Sequence, residues 1–592
     1  MKFISKKIFF VACVLFLGGA TSCDEDFLER KPLDAISDAD VWKDPALVEA
    51  FVNDLYGRIW DPFTDSWKVM HTAVSDEGMY LRDKGTDVVV KGTLTPENMG
   101  TLTQFGQWGN YYKGIRNCNI FLERINEVPF KDETLKNRLT GEVRFIRAYY
   151  YFNLVSHFGG IPLVKENFSL EDSEGMFVPR NTFEECVNAI VEDCDSAIEL
   201  LGASYNNDNL GRATKYSAMA LKSRMLLYAA SDLFNKPGNT NALVGYTSGD
   251  QTQRWQAAKA AAKALIDNPG KHGLYTPTDS GAENYTRIFL DNHNPEILFA
   301  KLHNKQLKGT SVDLWNGPNG YHNWGGNLPI ENFVTGYQLK DGTPFSWNNP
   351  EHATQPYKNR DPRFYASILY NGAVWRNRPA DAAATEPEGI IQTGSKEVWN
   401  AATNKVEVVW GVDTRFSPIE NWNASTTGYY TRKFLDKNVD GQFFRGDQPW
   451  IMFRYAEVLL NYAEACLELG ETEEARTYIN KVRTRAGMPA IASSVAGQAL
   501  EDLYRYERKY ELAFEGHRYF DIRRWLIAEQ VMNGPANGID IVAKLNPDKT
   551  THTLQYNIVS VGPRSFHPKG YFSPIPVSEI QKNAKLEQNP NY

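Results

Sequence analysis

Apolar residues recur at the spacing of an α-helix through long stretches at both ends of the chain, and no other feature restricts the fold as strongly. In the first half, amphipathic runs predict helices over residues 41–59, 108–125, 133–158, 215–234 and 255–266. A further helix is predicted to begin after Thr182, because Thr182 and Glu185 form a Ser/Thr-x-x-Glu capping pattern. Paired amphipathic helices of this length are typical of a helical-repeat array.

A second helical block lies towards the end of the chain, with helices predicted over residues 451–469, 472–486, 500–514 and 519–528. Small or apolar residues stand where a tetratricopeptide-type hairpin places its core, namely Leu459, Tyr462, Ala463, Cys466, Gly470, Ala475, Ile479 and Val482. Ala463 and Ala475 are small, as the close approach of two helices requires. The sequence therefore predicts a tetratricopeptide-like core.

The helical period is lost between these blocks, where Gly, Pro, Asn and Asp interrupt every short apolar run. Residues 300–450 nevertheless hold eight of the 14 Trp of the chain. We predict a mainly α fold in which residues 41–592 form a single domain. Its helical core spans 41–299 and 450–592, and a large irregular, loop-rich insertion with short strands spans about 300–449.

The first residues have the layout of an export signal. Lys2, Lys6 and Lys7 precede an apolar run over 8–17 that is too short to span a bilayer as a helix. Small residues then lead to Cys23, and Ala-Thr-Ser-Cys resembles a bacterial lipobox, in which the Cys becomes the first mature residue and carries lipid; Ala20 stands where Leu is usual. We predict a lipoprotein signal peptide at 1–22 and a lipid-anchored tether at 23–40. An ordinary cleaved signal is the alternative.

Charge and cysteine content exclude two classes of function. Loss of residues 1–22 removes three Lys and takes the net charge from −8 to −11, which argues against a nucleic-acid partner, because nucleic-acid binding needs clustered Lys and Arg. The remaining cysteines are Cys118, Cys186, Cys194 and Cys466. Cys186 and Cys194 lie ~12 Å apart along a predicted helix, too far for a disulfide. We interpret all four as buried, small hydrophobic residues.

Four groups of motifs, in order along the chain, together resemble the SusD/RagB family. They are RFIRAYYYFNL at 144–154 with GGIPL at 159–163, RYAEVLL at 454–460 with YAEA at 462–465, ELAFEGHRYFD at 511–521 with Glu507-Arg508 before it and Arg524-Trp525 after it, and the tail from Pro574 to Tyr592. Asn591 stands in that tail where Gly is more usual.

The resemblance implies an outer-membrane surface lipoprotein with four tetratricopeptide-like units and an irregular ligand-binding face. It also implies a SusC-type TonB-dependent transporter as partner, to which members hand oligosaccharides or, in some cases, peptides. The acidic run after Cys23 resembles the surface-export signal of such lipoproteins. We therefore expect the protein at the cell outer membrane, lipid-anchored and exposed at the surface, with no cofactor required.

Sugar binding needs flat apolar rings against pyranose C–H groups and planar polar side chains for hydroxyls. A predicted surface loop supplies both, with Trp315, Asn316, Asn319, Tyr321 and Trp324. Residues 75–82 resemble a family region that often contributes a second aromatic, so Tyr80 and Arg82 join the predicted ligand-binding set. Packing onto the core is the alternative for either Trp of the loop, and for Trp67 we prefer core packing.

Glu507, Glu511 and Glu515 form a stripe at helical spacing, with several Arg nearby. Paired carboxylates suit general acid–base hydrolysis of glycosides, but carboxylates beside several Arg stay ionised. We interpret the stripe as ion pairs between helices and predict no catalytic residue. Neither a zinc-protease helix motif, a Gly-x-Ser-x-Gly elbow nor a phosphate loop occurs in the sequence.

A possible cofactor is calcium. Asp436, Asn438, Asp440 and Asp447, with Gly441, fit a Ca²⁺ loop except that Asp replaces the final Glu and the preceding segment is extended rather than helical. Ordinary turns use the same residues, and we prefer that interpretation.

These observations together predict a non-catalytic surface lipoprotein that binds oligo- or polysaccharide and delivers it to a SusC-type transporter. A peptide-binding import subunit of the same architecture is the main alternative. A surface glycosidase and a scaffold protein without a ligand also remain open, and the sequence does not identify the glycan.

Overall fold

The computed structural model describes residues 38–65, 67–168, 174–307, 309–439, 441 and 445–592. The predicted signal peptide, Cys23 and the tether up to residue 37 lie outside the described residues. Across the described part of the chain, no helix is both long and apolar enough to cross a membrane.

Long helices form the scaffold: α1 (Pro45–Gly57), α2 (Trp108–Arg124), α3 (Glu133–Phe158), α4 (Phe183–Leu200), α5 (Lys215–Ala230), α6 (Gln251–Asp267), α7 (Tyr455–Glu468), α8 (Thr472–Arg485) and α9 (Gln498–Glu511). From α2 onwards each packs on the next, and α1 packs on α3. Helix α6 packs directly on α7 although the whole insertion separates them in sequence. The stack is therefore continuous, which confirms the predicted mainly α fold with a helical core and an insertion.

Local sequence explains where the helices begin and end. The capping box predicted for α4 is present: the Glu185 backbone N–H donates to Thr182 Oγ1 at 3.2 Å, and the Thr182 N–H donates to the Glu185 carboxylate at 2.8 Å. Helix α3 ends at Gly159, which has a φ of 76° and whose missing Cβ would lie 2.4 Å from the Leu243 carbonyl oxygen. No residue with a side chain fits that position without a shift of the backbone.

The hairpin of α7 and α8 buries the core that the sequence predicts, including Leu459, Ala463, Ala475 and Ile479. One boundary was wrong, because residues 451–454 are not helical. They belong to strand β8, which pairs antiparallel with β2 and so joins the two chain segments that flank the insertion. The four cysteines after Cys23 are all buried and free, as predicted.

The strands are β1 (Gly78–Tyr80), β2 (Ile297–Lys301), β3 (Asn327–Pro329), β4 (Ile368–Leu369), β5 (Ser395–Asn400), β6 (Lys405–Trp410), β7 (Tyr430–Thr431), β8 (Trp450–Arg454), β9 (Ala536–Leu545) and β10 (His552–Gly562). The largest described sheet has the order β10-β9-β5-β6. Its hairpin of β9 and β10 corrects the prediction of a helical core over 450–592, because alternate residues such as Ile539 and Ile541 are buried while Asp540 is exposed.

Short helices and single turns fill the connections. The short α-helices are Asp38–Val41, Asp87–Val90, Leu102–Gly106, Gly281–Ile288, Val312–Asn316, Glu331–Thr335, Pro350–Thr354, Pro362–Ser367, Ala380–Ala383, His517–Arg524, Ala528–Val531 and Val577–Lys582. The 3₁₀ turns are His71–Val74, Ile125–Glu127, Asn207–Asn209, Asp232–Phe234, Asn319–Tyr321 and Pro568–Tyr571.

A buried ion network joins the helical core to the insertion. Arg454 at the end of β8 lies 2.8 Å from Glu296, 2.7 Å from Glu511 and 2.6 Å from Glu515. Arg363 of the insertion lies 3.2 Å from Glu511 and also pairs with Glu507, the first residue of the glutamate stripe. The side chains of these residues are at most 3% exposed, so each charge depends on its partners rather than on water.

The glutamate stripe therefore makes ion pairs between elements, as the sequence interpretation holds. Burial alone would raise the pKa of Glu511, but the Arg485, Arg454 and Arg363 guanidiniums together lower it to about 2. A carboxyl with such a pKa is ionised at neutral pH, as an ion pair with these guanidiniums requires.

Candidate functional site

Strands β1 and β3 hold two distant segments side by side. They pair antiparallel with Tyr80 opposite Asn327, and beyond the strand ends the Leu81 N–H donates to the Gly326 carbonyl oxygen at 2.8 Å. This ladder places residues 80–84 beside the loop over 312–326, in which the predicted ligand-binding residues lie. A Cβ at Gly326 would stand 2.7 Å from the Trp315 carbonyl oxygen, so the two ends of the loop meet only because residue 326 is glycine.

The predicted polar residues of this loop face the interior. Asn316 is 1% exposed, and its Oδ1 accepts from the Asn327 backbone N–H at 3.0 Å and side chain at 2.8 Å. Asn319 is fully buried, accepts from the Tyr430 hydroxyl at 2.5 Å and donates to the Glu420 carbonyl oxygen. Both amides thus bind the protein itself and hold the loop in shape.

The two predicted tyrosines are also buried. Tyr321 is 1% exposed and donates to the Arg376 carbonyl oxygen at 2.7 Å, while Tyr80 is 6% exposed and donates to the Trp67 carbonyl oxygen. Prediction of Asn316, Asn319, Tyr321 and Tyr80 as ligand contacts therefore needs correction. These side chains position the loop and do not face a ligand, because their polar groups are already bonded within the fold.

The two predicted tryptophans of the loop lie at the surface. Trp315 and Trp324 are both half-buried, and their rings meet edge to face at 4.6 Å between centroids, with an interplanar angle of 73°. Trp67 continues this row, with its ring 6.3 Å from Trp315 at 80°. Trp67 is 42% exposed, so the interpretation as a core residue was wrong.

A fourth ring, Trp422, completes the group. The missing Cβ of Gly325 would lie 2.8 Å from the Asn423 carbonyl oxygen, so the backbone of the residue after Trp422 packs against the residue after Trp324. Trp422 is 64% exposed. The sequence analysis did not single it out, although it is flanked by Asn in a turn-rich segment as Trp324 is preceded by Asn323. We call Trp67, Trp315, Trp324 and Trp422 the Trp patch.

Arg82 and Lys84 lie on rings of the Trp patch, and a third basic residue, Lys68, has its Nζ farther off, 5.9 Å from the centroid of Trp315, where it donates to the Asp65 carbonyl oxygen. The guanidinium of Arg82, one of the predicted ligand-binding residues, is 4.9 Å from the centroid of Trp422 and donates to its carbonyl oxygen at 3.4 Å and to Asn423 Oδ1. Lys84 Nζ is 3.6 Å from the centroid of Trp67. Both contacts are cation–π interactions, which hold a basic side chain over a ring without neutralising its charge.

The larger cavities open elsewhere. One of about 820 Å³ lies between the connection of α4 to α5 and strand β2, and another of about 350 Å³ adjoins it at Leu210–Arg212. No residue of the Trp patch lines either cavity. We place the candidate site at the Trp patch rather than at a cavity, because exposed rings on a fixed frame are the chemistry that sugar stacking requires.

The predicted calcium loop is described only in part, and Asp440 lies outside the described residues. The Asn438 N–H donates to Asp436 Oδ1 at 2.9 Å, as in an ordinary turn, and Asp447 lies 3.6 Å from Lys305. Within the residues that the structure describes, no group of three or more His, Cys, Asp or Glu side chains is arranged to hold a metal ion. Calcium binding at Asp436, Asn438, Asp440 and Asp447 stays a prediction.

Comparison with known proteins matches two family models to most of the chain. Residues 279–592 match the model described as SusD family, and residues 26–227 match the model described as starch-binding associating with outer membrane. The SusD-like protein P38 of Formosa agariphila is 24% identical over 538 residues, which are 89% of this chain and 92% of that protein.

Solved structures are similar over nearly the whole length. A SusD-like protein from Bacteroides fragilis superposes with a TM-score of 0.73 and 28% identity, covering 95% of this chain and 100% of the other. A SusD-like carbohydrate-binding protein from the same species gives a TM-score of 0.71 and 25% identity, covering 92% and 99%.

Proposed function

The chain belongs to the SusD family, whose model matches residues 279–592, and from this premise we propose that it binds oligo- or polysaccharide at the Trp patch and delivers it to a SusC-type TonB-dependent transporter. The observation that carries the proposal is the exposure of four Trp rings on one frame. Trp67 and Trp422 are 42% and 64% exposed, and Trp315 and Trp324 are half-buried. Stacking of a pyranose on such rings needs no pocket.

The frame beneath the rings supports this function. Buried amides and hydroxyls fix the loop that carries Trp315 and Trp324, so the rings lose little freedom when a ligand binds. The names of the relatives point the same way, because the Bacteroides fragilis structure with 25% identity is described as carbohydrate-binding. One matching family model is described as starch-binding.

We propose a non-catalytic role. The stripe of Glu507, Glu511 and Glu515 is the strongest carboxylate cluster that the sequence analysis considered for glycoside hydrolysis, and all three side chains are buried in ion pairs with Arg. Product release from a polysaccharide, lost when a carboxylate is replaced, would revive the glycosidase alternative.

We also propose that the protein sits at the outer membrane, lipidated at Cys23, with residues 24–40 as the tether. The description of the second family model, associating with outer membrane, supports the location. Cys23→Ala should release the protein from the outer-membrane fraction while glycan binding by the released chain is unchanged. A folded Cys23→Ala chain that no longer binds would contradict the separation of anchor from site.

Affinity electrophoresis of the full chain in mild detergent tests the binding proposal, with one polysaccharide in each gel. We expect at least one polysaccharide to retard the chain and Trp422→Ala to reduce the retardation. Trp399→Ala is the matched control, because Trp399 is a half-buried ring under a Lys on the four-stranded sheet. Equal retardation of Trp422→Ala and the parent chain would contradict the site.

The same experiment separates the alternatives. A peptide-binding subunit predicts no retardation by any glycan but binding of peptides from a digest. A scaffold without a ligand predicts a complex with the transporter and no soluble cargo of either kind.

A further inference from the structure

Arg82 and Lys84, which lie on rings of the Trp patch, form no ion pair with a carboxylate among the described residues. The hydrogen bonds found for Arg82 all leave from Nη2, so its Nε and Nη1 atoms donate to no described group. Two formal positive charges thus face the site without internal neutralisation.

Two carboxylates of neighbouring segments, Asp83 and Glu420, bind other groups. Asp83, between the two basic residues, accepts from the backbone N–H groups of Gly85 at 2.8 Å and Asp87 at 3.2 Å. Glu420 accepts from the Asn423 amide at 2.6 Å and lies 3.2 Å from His322. Neither forms an ion pair with Arg82 or Lys84, so the charges are left for a group from outside the protein.

A comparable contact elsewhere in the protein shows the difference. Arg124 lies 4.9 Å from the centroid of Trp42, the same distance as Arg82 from Trp422, but it also pairs with Glu127 at 3.2 Å. Lys549 lies 3.6 Å from Trp399, as Lys84 does from Trp67, but beside a single ring. Among these places, only the Trp patch combines two cations outside ion pairs with several rings, of which Trp315 contacts both Trp67 and Trp324.

From this arrangement we infer that the glycan bound at the Trp patch is anionic and carries carboxylate or sulfate groups. The inference rests on the proposed function, since it names the class of glycan for the same site. Any sugar that stacks on Trp67 or Trp422 must move the cation off the ring face. Only an anionic sugar gains an ion pair with the displaced cation in return, and Arg82 offers two free donor atoms on one guanidinium plane to a planar carboxylate or a sulfate.

The test uses pairs of polysaccharides that differ only in charge. One pair is a sulfated galactan and the same galactan after desulfation, and the other is a polyuronate and its carboxyl-reduced form. With the full chain in mild detergent, we expect the charged member of at least one pair to bind about tenfold or more tightly than its neutral form. The pair in which removal of the charge weakens binding shows whether the site binds sulfate or carboxylate groups.

Charge-removing variants locate the effect. Arg82→Gln and Lys84→Gln should each weaken binding of the charged glycan about three- to tenfold, and leave neutral glycans within about twofold. Arg124→Gln and Lys549→Gln are the controls, because each removes a cation from a Trp ring outside the patch. Binding of the charged glycan by the parent chain should also fall as NaCl is raised from about 0.05 to 0.5 M, because salt screens exposed charges. The salt titration uses only the parent chain, so its result does not depend on whether any variant folds.

The outcomes separate the two proposals. If a glycan binds, Trp422→Ala weakens it, and removal of the glycan's charge has no effect, the anionic class is wrong and the binding site stands. The same holds if only neutral glycans bind. If no glycan binds, or if Trp422→Ala binds as the parent chain does, the proposed function at this site fails and the anionic class fails with it.

Discussion

The buried ion network and the Trp patch use the same types of basic side chain in opposite ways. Arg363 and Arg454 are surrounded by carboxylates at 2.6–3.2 Å and are at most 1% exposed. Arg82 and Lys84 lie on exposed rings with no ion-pair partner among the described residues. Whether an Arg in this protein is structural or available for ligand recognition therefore depends on the groups that surround it. The residue type alone does not determine this.

The two regions should respond differently to the loss of one side chain. Inside, removal of one cation leaves several buried carboxylates with fewer partners than charges, and such losses are large. At the patch, removal of a ring or a cation exposes groups that already meet water, so stability should hardly change while binding suffers. The predictions below test that contrast.

The largest effect is expected for Arg454→Leu, which leaves Glu296, Glu511 and Glu515 without their shared cation. We expect the free energy of unfolding to fall by about 3–5 kcal/mol, measured by denaturant titration. Arg58→Leu is the control, because its partner Asp54 is 61% exposed, and we expect a loss below about 1 kcal/mol. Similar losses in the two variants would abolish the contrast between interior and surface.

Asn319→Ala tests whether the polar residues under the loop position the rings. The change removes the acceptor of the buried Tyr430 hydroxyl, which then has only the Asp413 carbonyl oxygen to donate to, and the amide that donates to the Glu420 carbonyl oxygen. We expect about 2–4 kcal/mol lower stability together with weaker glycan binding. Weaker binding at full stability, seen by thermal denaturation, would instead indicate that Asn319 contacts the ligand.

Trp315→Ala and Trp324→Ala should each weaken glycan binding by about 1–3 kcal/mol, because each removes a stacking face. Their stability should stay close to that of the parent chain, since both rings are only half-buried. Isothermal titration with the retarding polysaccharide measures the effect. If both folded variants bind normally, the rings are not the platform.

The smallest effect on stability is expected from a substitution of Glu77. Its carboxyl lies in the interior and forms no ion pair of its own among the described residues. Burial raises its pKa to about 7, while the Phe514 backbone N–H, which donates to it at 3.0 Å, acts in the opposite direction. The folded state thus holds a proton that the unfolded state releases near its ordinary pKa. The stabilising contribution is full below about pH 4.5 and is lost as the pH rises through about 7.

Glu77→Gln cannot ionise and should keep the bond to Phe514. We therefore expect the variant to gain about 1–2 kcal/mol over the parent chain between pH 5 and pH 8, followed as the difference in melting temperature across that range. A difference that does not change with pH would mean that Glu77 is already ionised at pH 5.

The sequence predicted those features that depend on neighbouring residues. Helix α3 and the Thr182–Glu185 cap follow from local spacing, and the structure has both. Residues 451–454 form a short apolar run, which fits the period of a helix as well as that of a strand, and we predicted a helix. They form a strand because they pair with β2, which lies on the other side of the insertion in sequence.

The candidate site was predicted less completely, because its geometry depends on contacts between distant residues. Burial of Asn319 depends on Tyr430, and that of Tyr321 on Arg376, both far along the chain. The segment that carries Trp422 lies near the loop of Trp324 because Asn423 packs against Gly325. Sequence patterns identified the loop and the rings of Trp315 and Trp324. The rings of Trp67 and Trp422 were assigned to the Trp patch only from the tertiary structure.

Strands β2 and β8 carry a consequence for how such proteins diversify. They lie side by side at the two ends of the insertion, and both pack on helix α5. The chain leaves the helical stack and returns to it at one place, so residues 302–449 form an insertion whose two ends are held together by the pairing of β2 with β8. The entropy of closing a loop grows only with the logarithm of its length, about 0.6 kcal/mol for each doubling. A lineage can therefore lengthen or shorten the loops of the insertion that carry Trp315, Trp324 and Trp422 at little thermodynamic cost, provided that Arg363 keeps its ion pairs with Glu507 and Glu511.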